Sequence, residues 1–372
     1  MRYKEFGNTK KKLSVFGCGG TRFAHETSIE EHAEKIIYAH SKGINHFDTT
    51  PHYNYNRCED IYAEAIKSLR RDTYYICTKD APAFINSKQE AKDNLKRSLD
   101  KMKLDYFDFY YFWNVKKIDE YYKAISVSEH YEALLEAKSE GLINHICMSS
   151  HLTGKETSEI IDDGKIEGVL LNMNILNFPY AIDAAFRAKE KGIGVGTMSP
   201  LMGGLIPNYQ ERLQFLRSEN LSPAEEALKF ICGLSCVDFS YIAFRSKKEI
   251  DNACKIADLS HAVSDDELAD IRVKVGAGIE KACTGCMYCM EYCPNNLPIA
   301  EYMAYYNLKY LFNIPQDVFE DKLSFYKEWF ELAKRKADAK DCIKCGNCEE
   351  QCTQRINIIE RLEEIADIEA KS

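Results

Sequence analysis

Apolar positions along the chain recur in two alternating rhythms. Ile29, Ala33, Ile36 and Ile37 are spaced three and four apart, which collects them on one face of a helix. A short apolar run at 44–48 follows, closed by the turn residues Pro51 and Asn54. Ile61, Ala65 and Leu69 mark the next helix and residues 74–78 the next strand. Ala91, Leu95, Leu99 and Met102 repeat the stripe ahead of a strand at 107–112. Further strands are predicted at 145–149, 168–172, 194–198 and 240–244, with a helix around Ala224, Ala227, Leu228 and Ile231. The faintest, an eighth, is placed at 255–258. Repeated strand–helix units imply parallel strands with helical crossovers. Eight of them predict an α/β fold, a closed (β/α)8 TIM barrel. A doubly wound open sheet is the alternative, but no G-x-G-x-x-G follows any of these strands. The run Gly17-Cys18-Gly19-Gly20 precedes the first repeat and reads as a turn.

Past residue 277 the pattern turns helical around cysteines. Phe319, Leu323, Tyr326, Phe330 and Ala333 form one stripe, and Ile358, Leu362 and Ile365 another. The 372 residues thus divide into a barrel over 1–275 and a small, mostly helical, ferredoxin-like module over 276–372. A net charge of −9 argues against a nucleic-acid or anionic-membrane partner, either of which needs a basic face. No apolar stretch approaches the ~18–20 residues of a membrane helix. The opening MRYKEFGNTKKKLSVFG lacks a hydrophobic signal core. Fifteen cysteines without such a signal point to reduced thiols and a cytoplasmic location. Cys18, Cys58, Cys77, Cys147, Cys232, Cys236 and Cys254 read as small core residues.

The other eight cysteines form two runs, Cys283-x-x-Cys286-x-x-Cys289-x-x-x-Cys293-Pro294 and Cys342-x-x-Cys345-x-x-Cys348-x-x-x-Cys352. The first has the spacing of the bacterial ferredoxin signature for a [4Fe–4S] cluster; the second keeps it with Thr353 in place of proline. In two-cluster ferredoxins the fourth cysteine ligates the other cluster. The expected sets are Cys283, Cys286, Cys289 and Cys352 for one cluster, and Cys342, Cys345, Cys348 and Cys293 for the second. Two four-cysteine zinc sites are the rival reading, disfavoured because zinc knuckles show paired C-x-x-C units.

Catalytic groups of such a barrel sit at the C-terminal ends of its strands. Those ends carry Asp48, Lys79, Trp113, Asn114, Ser149, Ser150, Asn172 and Ser199, with Tyr53 just past the first. An Asp48–Lys79 pair beside Tyr53 would lower the phenol pKa and fit it to protonate a carbonyl. A plain structural ion pair at the barrel mouth is the bland alternative.

Several stretches resemble the aldo-keto reductases: the opening through G-C-G-G-T-R-F, F-D-T-T-P-H-Y at 47–53, I-C-T-K at 76–79, D-Y-F-D-F-Y-Y-F-W at 105–113, H-I-C-M-S-S-H at 145–151 and M-S-P-L at 198–201. With the cysteine runs, the chain is similar to the subgroup bearing a C-terminal ferredoxin-like domain. The resemblance implies a Tyr–Lys–Asp–His tetrad that protonates a small-molecule carbonyl while NADPH delivers hydride. Tyr53, Lys79 and Asp48 match three positions; Trp113 stands where the histidine is usual. An indole donates one hydrogen bond but does not titrate, and losing one such donor commonly lowers rate about 10²–10³-fold. Asn114, His52 and His151 are candidates to compensate. The resemblance puts Ser149 and Ser150 at the nicotinamide carboxamide, with Asn172 and Ser199 beside them. Leu170 replaces a usual glutamine and Met198 a stacking aromatic. At the phosphate end it implies Arg245 and Ser246, with Asp251 and Asn252 toward the adenosine; Arg245, Lys247 and Lys248 would meet a 2′-phosphate.

Hydride transfer moves two electrons and each cluster carries one. The chain shows no flavin motif, although barrels bind flavin mononucleotide without a short signature. The main expectation is an NADP(H)-dependent oxidoreductase with two [4Fe–4S] clusters for electron transfer, open to a redox partner protein. The alternative is an electron-transfer or docking protein whose barrel has lost nicotinamide chemistry.

Overall fold

The computed structural model describes residues 1–371 apart from 25, 55, 209, 212, 219, 276–281, 284–287, 313 and 330–336. The chain groups into two compact units, residues 1–200 with 218–268, and residues 201–217 with 269–372. Among the described residues no helix is long and apolar enough to cross a membrane.

The first unit opens with a hairpin, β1 (Tyr3–Glu5) and β2 (Lys12–Ser14). Eight parallel strands then close into a barrel: β3 (Phe16–Cys18), β4 (His46–Asp48), β5 (Tyr75–Asp80), β6 (Phe107–Val115), β7 (Ile143–Ser150), β8 (Gly168–Asn172), β9 (Gly194–Met198) and β10 (Phe239–Ile242), with β10 returning to β3. Two expectations are corrected here. The glycine run is not a turn but carries β3, which pairs with both β4 and β10. Residues 255–258 are not a strand; they lie within the helix Lys247–Leu259. A three-residue strand containing glycine has no alternation to read, yet the fold requires glycine there. A Cβ on Gly17 would fall 2.2 Å from the His46 imidazole.

Side chains alternate in and out along each strand. Cys77, Phe109, Tyr111, Cys147, Leu170, Phe239 and Tyr241 fill the barrel interior together with Phe6 and Leu13. Phe6, between the hairpin strands, stops the N-terminal end of the barrel. Its ring lies where a Cβ on Gly168 or Gly194 would stand, at 2.4 and 2.3 Å, and packs against Phe109 and Phe239 at 5.3 Å each.

The second unit is helical. Helices Ile299–Phe312, Gln316–Trp329 and Ile358–Glu369 bury Tyr302, Met303, Tyr305, Phe319, Leu323, Leu362 and Ile365 in one core. Both expected stripes are on these helices; Phe330 and Ala333 lie outside the described residues.

Candidate functional site

Two residues further along the inward face than the apolar layer, the strands present polar groups. Asp48 ends β4, and Lys79 lies on β5, paired in register with Tyr111 of β6. Lys79 (1% exposed) and Asp48 (4% exposed) form an ion pair sealed from water. Burial alone would lower the Lys79 pKa, but the Asp48 carboxylate outweighs it and holds the ammonium above its ordinary value. After β4 the chain turns through Pro51, with Asn54 and Asn56 in the left-handed conformation that asparagine tolerates (φ 53° and 64°). This turn brings Tyr53 over the pair, with the Lys79 ammonium 4.9 Å from its ring centroid. The Thr50 hydroxyl ties the turn to β5 by donating to the Lys79 carbonyl, 2.9 Å.

The electrostatic outcome differs from the expected tuning. Burial, and then the Asp48 charge, raise the Tyr53 pKa well above that of a free phenol; a hydrogen bond with the Thr21 side chain opposes them. The lysine charge is spent on Asp48, so the phenol stays protonated. Thr21, which sequence reasoning did not single out, thus touches the central residue.

Trp113 leaves β6 at an irregularity: register shifts between Phe112 and Val115, and Asn114 takes φ +57°. Such bulges re-aim side chains beside functional sites. The indole meets Tyr53 edge-on at 5.7 Å and stacks on His52 at 5.1 Å and 7°. His52 in turn contacts buried Asp80 through Nε2, 2.9 Å, and Asn94 donates to the other Asp80 oxygen at 2.5 Å. His52 therefore lines the mouth with Trp113. Asp80 had a visible signal, an acid directly after Lys79. His151 is buried and its pKa is lowered to about 3, by burial and then by Lys116, so it stays neutral.

The remaining expected contacts divide. Ser149, Asn172 and Met198 share the inward face, and the Ser149 hydroxyl lies 3.9 Å from the Met198 sulfur. The Oδ1 atoms of Asn172 and Asn114 are buried and find no hydrogen-bond partner among the described residues. Ser150 faces the other way, bonded to Thr157 at 2.8 Å. Ser199 takes φ +58°, and its carbonyl accepts from Asn174 at 3.2 Å. Past β10, exposed Arg245 pairs with Glu249, and Ser246 caps the helix Lys247–Leu259 by accepting from the Glu249 N–H. Asp251 is held by Lys42 (3.0 Å) and the Tyr38 hydroxyl, and Asn252 bonds Glu225. A cofactor carboxamide fits the orphaned Asn172 oxygen, whereas at the helix start the Glu249 carboxylate already takes the Arg245 N–H and guanidinium, and a phosphate there would have to displace it.

In the second unit, Cys293, Cys342, Cys345 and Cys348 line one cavity, closed on its apolar side by Leu297, Ile299, Ile359 and Leu362. Cys283 is gripped at both backbone groups by Asn307: its N–H donates to Oδ1 and its carbonyl accepts from Nδ2, each 2.8 Å. Cys289 is buried, and Cys352 packs against the same core as Cys283. Cys286 lies outside the described residues. Of the seven other cysteines, all but Cys254 are buried, as core residues would be.

A closed barrel with a buried Asp–Lys pair beneath a tyrosine, followed by a cysteine-rich helical tail, defines a redox enzyme of the TIM-barrel class. Residues 15–275 match the aldo/keto reductase family and residues 282–357 a 4Fe-4S dicluster domain. The chain belongs to the aldo/keto reductase family and is an oxidoreductase with an iron–sulfur tail. It is 26% identical over 219 residues to L-galactose dehydrogenase of Arabidopsis thaliana, covering 55% of this chain and 67% of the relative. It is 27% identical over 229 residues to the NADH-specific methylglyoxal reductase of Escherichia coli, covering 55% and 69%. The fold superposes on an aldo-keto reductase from Klebsiella pneumoniae in complex with NADPH, with a TM-score of 0.61, 17% identity and coverage of 74% and 95%.

Proposed function

We propose that the barrel, residues 1–275, reduces a small-molecule carbonyl with NADP(H), and that the tail, residues 276–372, holds two [4Fe–4S] clusters. The buried Asp48–Lys79–Tyr53 constellation under Trp113 carries the first part of this reading. Bound NADPH supplies hydride, and the cubanes carry single electrons. Tyr53, kept neutral by burial, gives its proton to the carbonyl oxygen as charge develops there. Lys79 stabilises the phenolate left behind, and Asp48 keeps Lys79 charged. Trp113 packs Tyr53 in place and closes one wall. Ser149 and Asn172 orient the carboxamide, with Ser150 and Ser199 shaping their strand ends. Arg245, Ser246, Asp251 and Asn252 serve the phosphate and adenosine end. The NADPH complex of the Klebsiella pneumoniae protein supports the cofactor by analogy.

The shared cavity of Cys293 with Cys342, Cys345 and Cys348 supports crossed ligation, which leaves Cys352 to join Cys283, Cys286 and Cys289. Such clusters suit reduced thiols and so a cytoplasmic setting, and single-electron carriers leave room for a redox partner protein. Tyr53→Phe tests the barrel. Carbonyl reduction should fall about 10²–10⁴-fold with iron content intact, and unchanged turnover removes Tyr53 from its role. Apolar Leu170 and Met198 favour a second reading, a barrel that no longer binds nicotinamide. Anaerobic titration decides: quenching of NADPH fluorescence supports the first reading, and silence the second.

A further inference from the structure

The two cysteine runs are built as copies. In each, the sulfur of the fourth cysteine accepts a backbone N–H from four residues on, Leu297 to Cys293 and Ile356 to Cys352, both at 3.4 Å. The residue just before that donor is left-handed in both, Asn296 at φ 52° and Arg355 at φ 51°. Leu297 and Ile356 are buried at matching places, as are Ile299 and Ile358, and each copy then enters a helix.

The copies differ in charge at a position buried in both. Counted from the fourth cysteine, the first copy carries Tyr302 where the second carries Arg361. Tyr302 is a neutral phenol that donates to Glu369 at 2.8 Å and accepts from the Ala339 N–H at 3.1 Å. Arg361 is a cation only 5% exposed, held between the rings of Tyr306 and Tyr310 at 4.7 and 4.9 Å. Tyr306 is the chain neighbour of Asn307, the residue that fixes Cys283, and Arg361 lies on the helix that follows Cys352. Cys283, Cys352 and Tyr306 pack against one core, which sets the guanidinium on the side of these two sulfurs. The other sulfur cavity is walled by uncharged side chains. Its nearby cation, Lys344, is exposed and already paired with Glu363. A buried charge acts through a low dielectric, whereas an exposed, paired one is screened.

We propose that Arg361 sets the direction of electron flow within the tail, by holding the cluster on the Cys283/Cys352 side at the higher reduction potential. This rests on the two-cluster reading above. Reduction adds one negative charge, and the nearby guanidinium favours that charge on its own side. One electron leaves the cluster on Cys293, Cys342, Cys345 and Cys348 and is gained by the other; no bond or proton changes hands. Burial and hydrogen bonding to the sulfurs are the other determinants of potential. The paired N–H donors make this bonding to the two fourth cysteines alike, and the buried cation stands on one side only.

The test is an anaerobic redox titration of the full-length chain, followed by electron paramagnetic resonance, after iron and sulfide have been counted. The wild type should reduce in two steps. Arg361→Gln should shift the upper step down by about tenfold or more in its equilibrium constant, roughly 59 mV for one electron, and move the lower step less. Arg361→Lys, which keeps the charge, should stay near the wild type. Equal effects of Gln and Lys, or an unmoved gap between steps, overturn the inference. Cys345→Ser in an otherwise wild-type chain assigns the steps even where Arg361→Gln fails to load: it should perturb the lower one, and perturbation of the upper overturns the inference. A wild-type chain without the iron of two cubanes overturns the two-cluster reading itself.

Discussion

Replacing Asp48 by Asn keeps the side chain's shape and removes the charge facing Lys79. Both groups are buried, so the lysine has no water to replace its partner. Breaking a buried pair from one side costs about 3–5 kcal/mol. The loss carries a distinctive pH signature. In the wild type the folded state holds the Lys79 proton above its ordinary affinity. The resulting stability is complete below the unfolded pKa, about 10.4, and is lost as pH rises through the folded value. In Asp48→Asn, burial loses its main opponent and the folded pKa drops below the unfolded one. The unfolded chain then binds the proton more tightly, so stability rises with pH up to about 10.4. The deficit against wild type should therefore be largest near neutrality and shrink toward pH ~9–10. Urea titration at both ends of that window measures it. Trp113 fluorescence in a Trp329→Phe background reports on the barrel, since the chain has two tryptophans. A deficit under ~1 kcal/mol, or one independent of pH, would refute the argument that Asp48 is what keeps the buried ammonium charged.

Three further outcomes are expected. Cys345→Ala should lower iron and sulfide content while NADPH quenching by the barrel persists; loss of both together would show that the two units depend on each other. His46 is held neutral, its pKa lowered to about 4 by burial against an accepting Ser14 carbonyl. Its folded value lies below the unfolded one of about 6.5, so it stabilises at neutral pH and withdraws that stability as pH falls through 6.5 toward 4. His46→Gln should flatten the acid limb of a stability–pH curve by about 3 kcal/mol, and an unchanged limb counts against it. Gly194→Ala would set a methyl 2.3 Å from the Phe6 ring. A loss of about 1–3 kcal/mol is expected, largely recovered by adding Phe6→Leu; no recovery would show that the strain lies elsewhere.

Much of this architecture was legible because periodicity reports burial. The runs at 107–112 and 168–172 sit in strands, as does 46–48 of the run at 44–48, and Asp48 and Lys79, well separated along the chain, meet because each lies near the end of a neighbouring strand. β3 escaped notice because three residues around Gly17 carry no alternation, and residues 255–258 misled because a buried helical turn is as apolar as a strand. Ser149 and Ser150 look equivalent in sequence, but strand geometry turns them to opposite sides. The Tyr53 pKa could not be read from neighbours in sequence, since it depends on how much water the fold removes and on Asp48 already claiming the lysine. Arg361 did leave a trace. It falls on the apolar stripe of Ile358, Leu362 and Ile365, where a cation is out of pattern.

The Phe6 stopper has a consequence for traffic. With its ring wedged among Gly168, Gly194, Phe109 and Phe239, it closes the N-terminal end of a packed barrel. Ligands and the protons that recharge Tyr53 therefore approach from the opposite end, where the strands carry Asp48 and Lys79. A chain shortened past Phe6 would wet the underside of Phe109, Leu170 and Phe239, and the loss would fall on the stability of the barrel before it reached the Asp48–Lys79 pair.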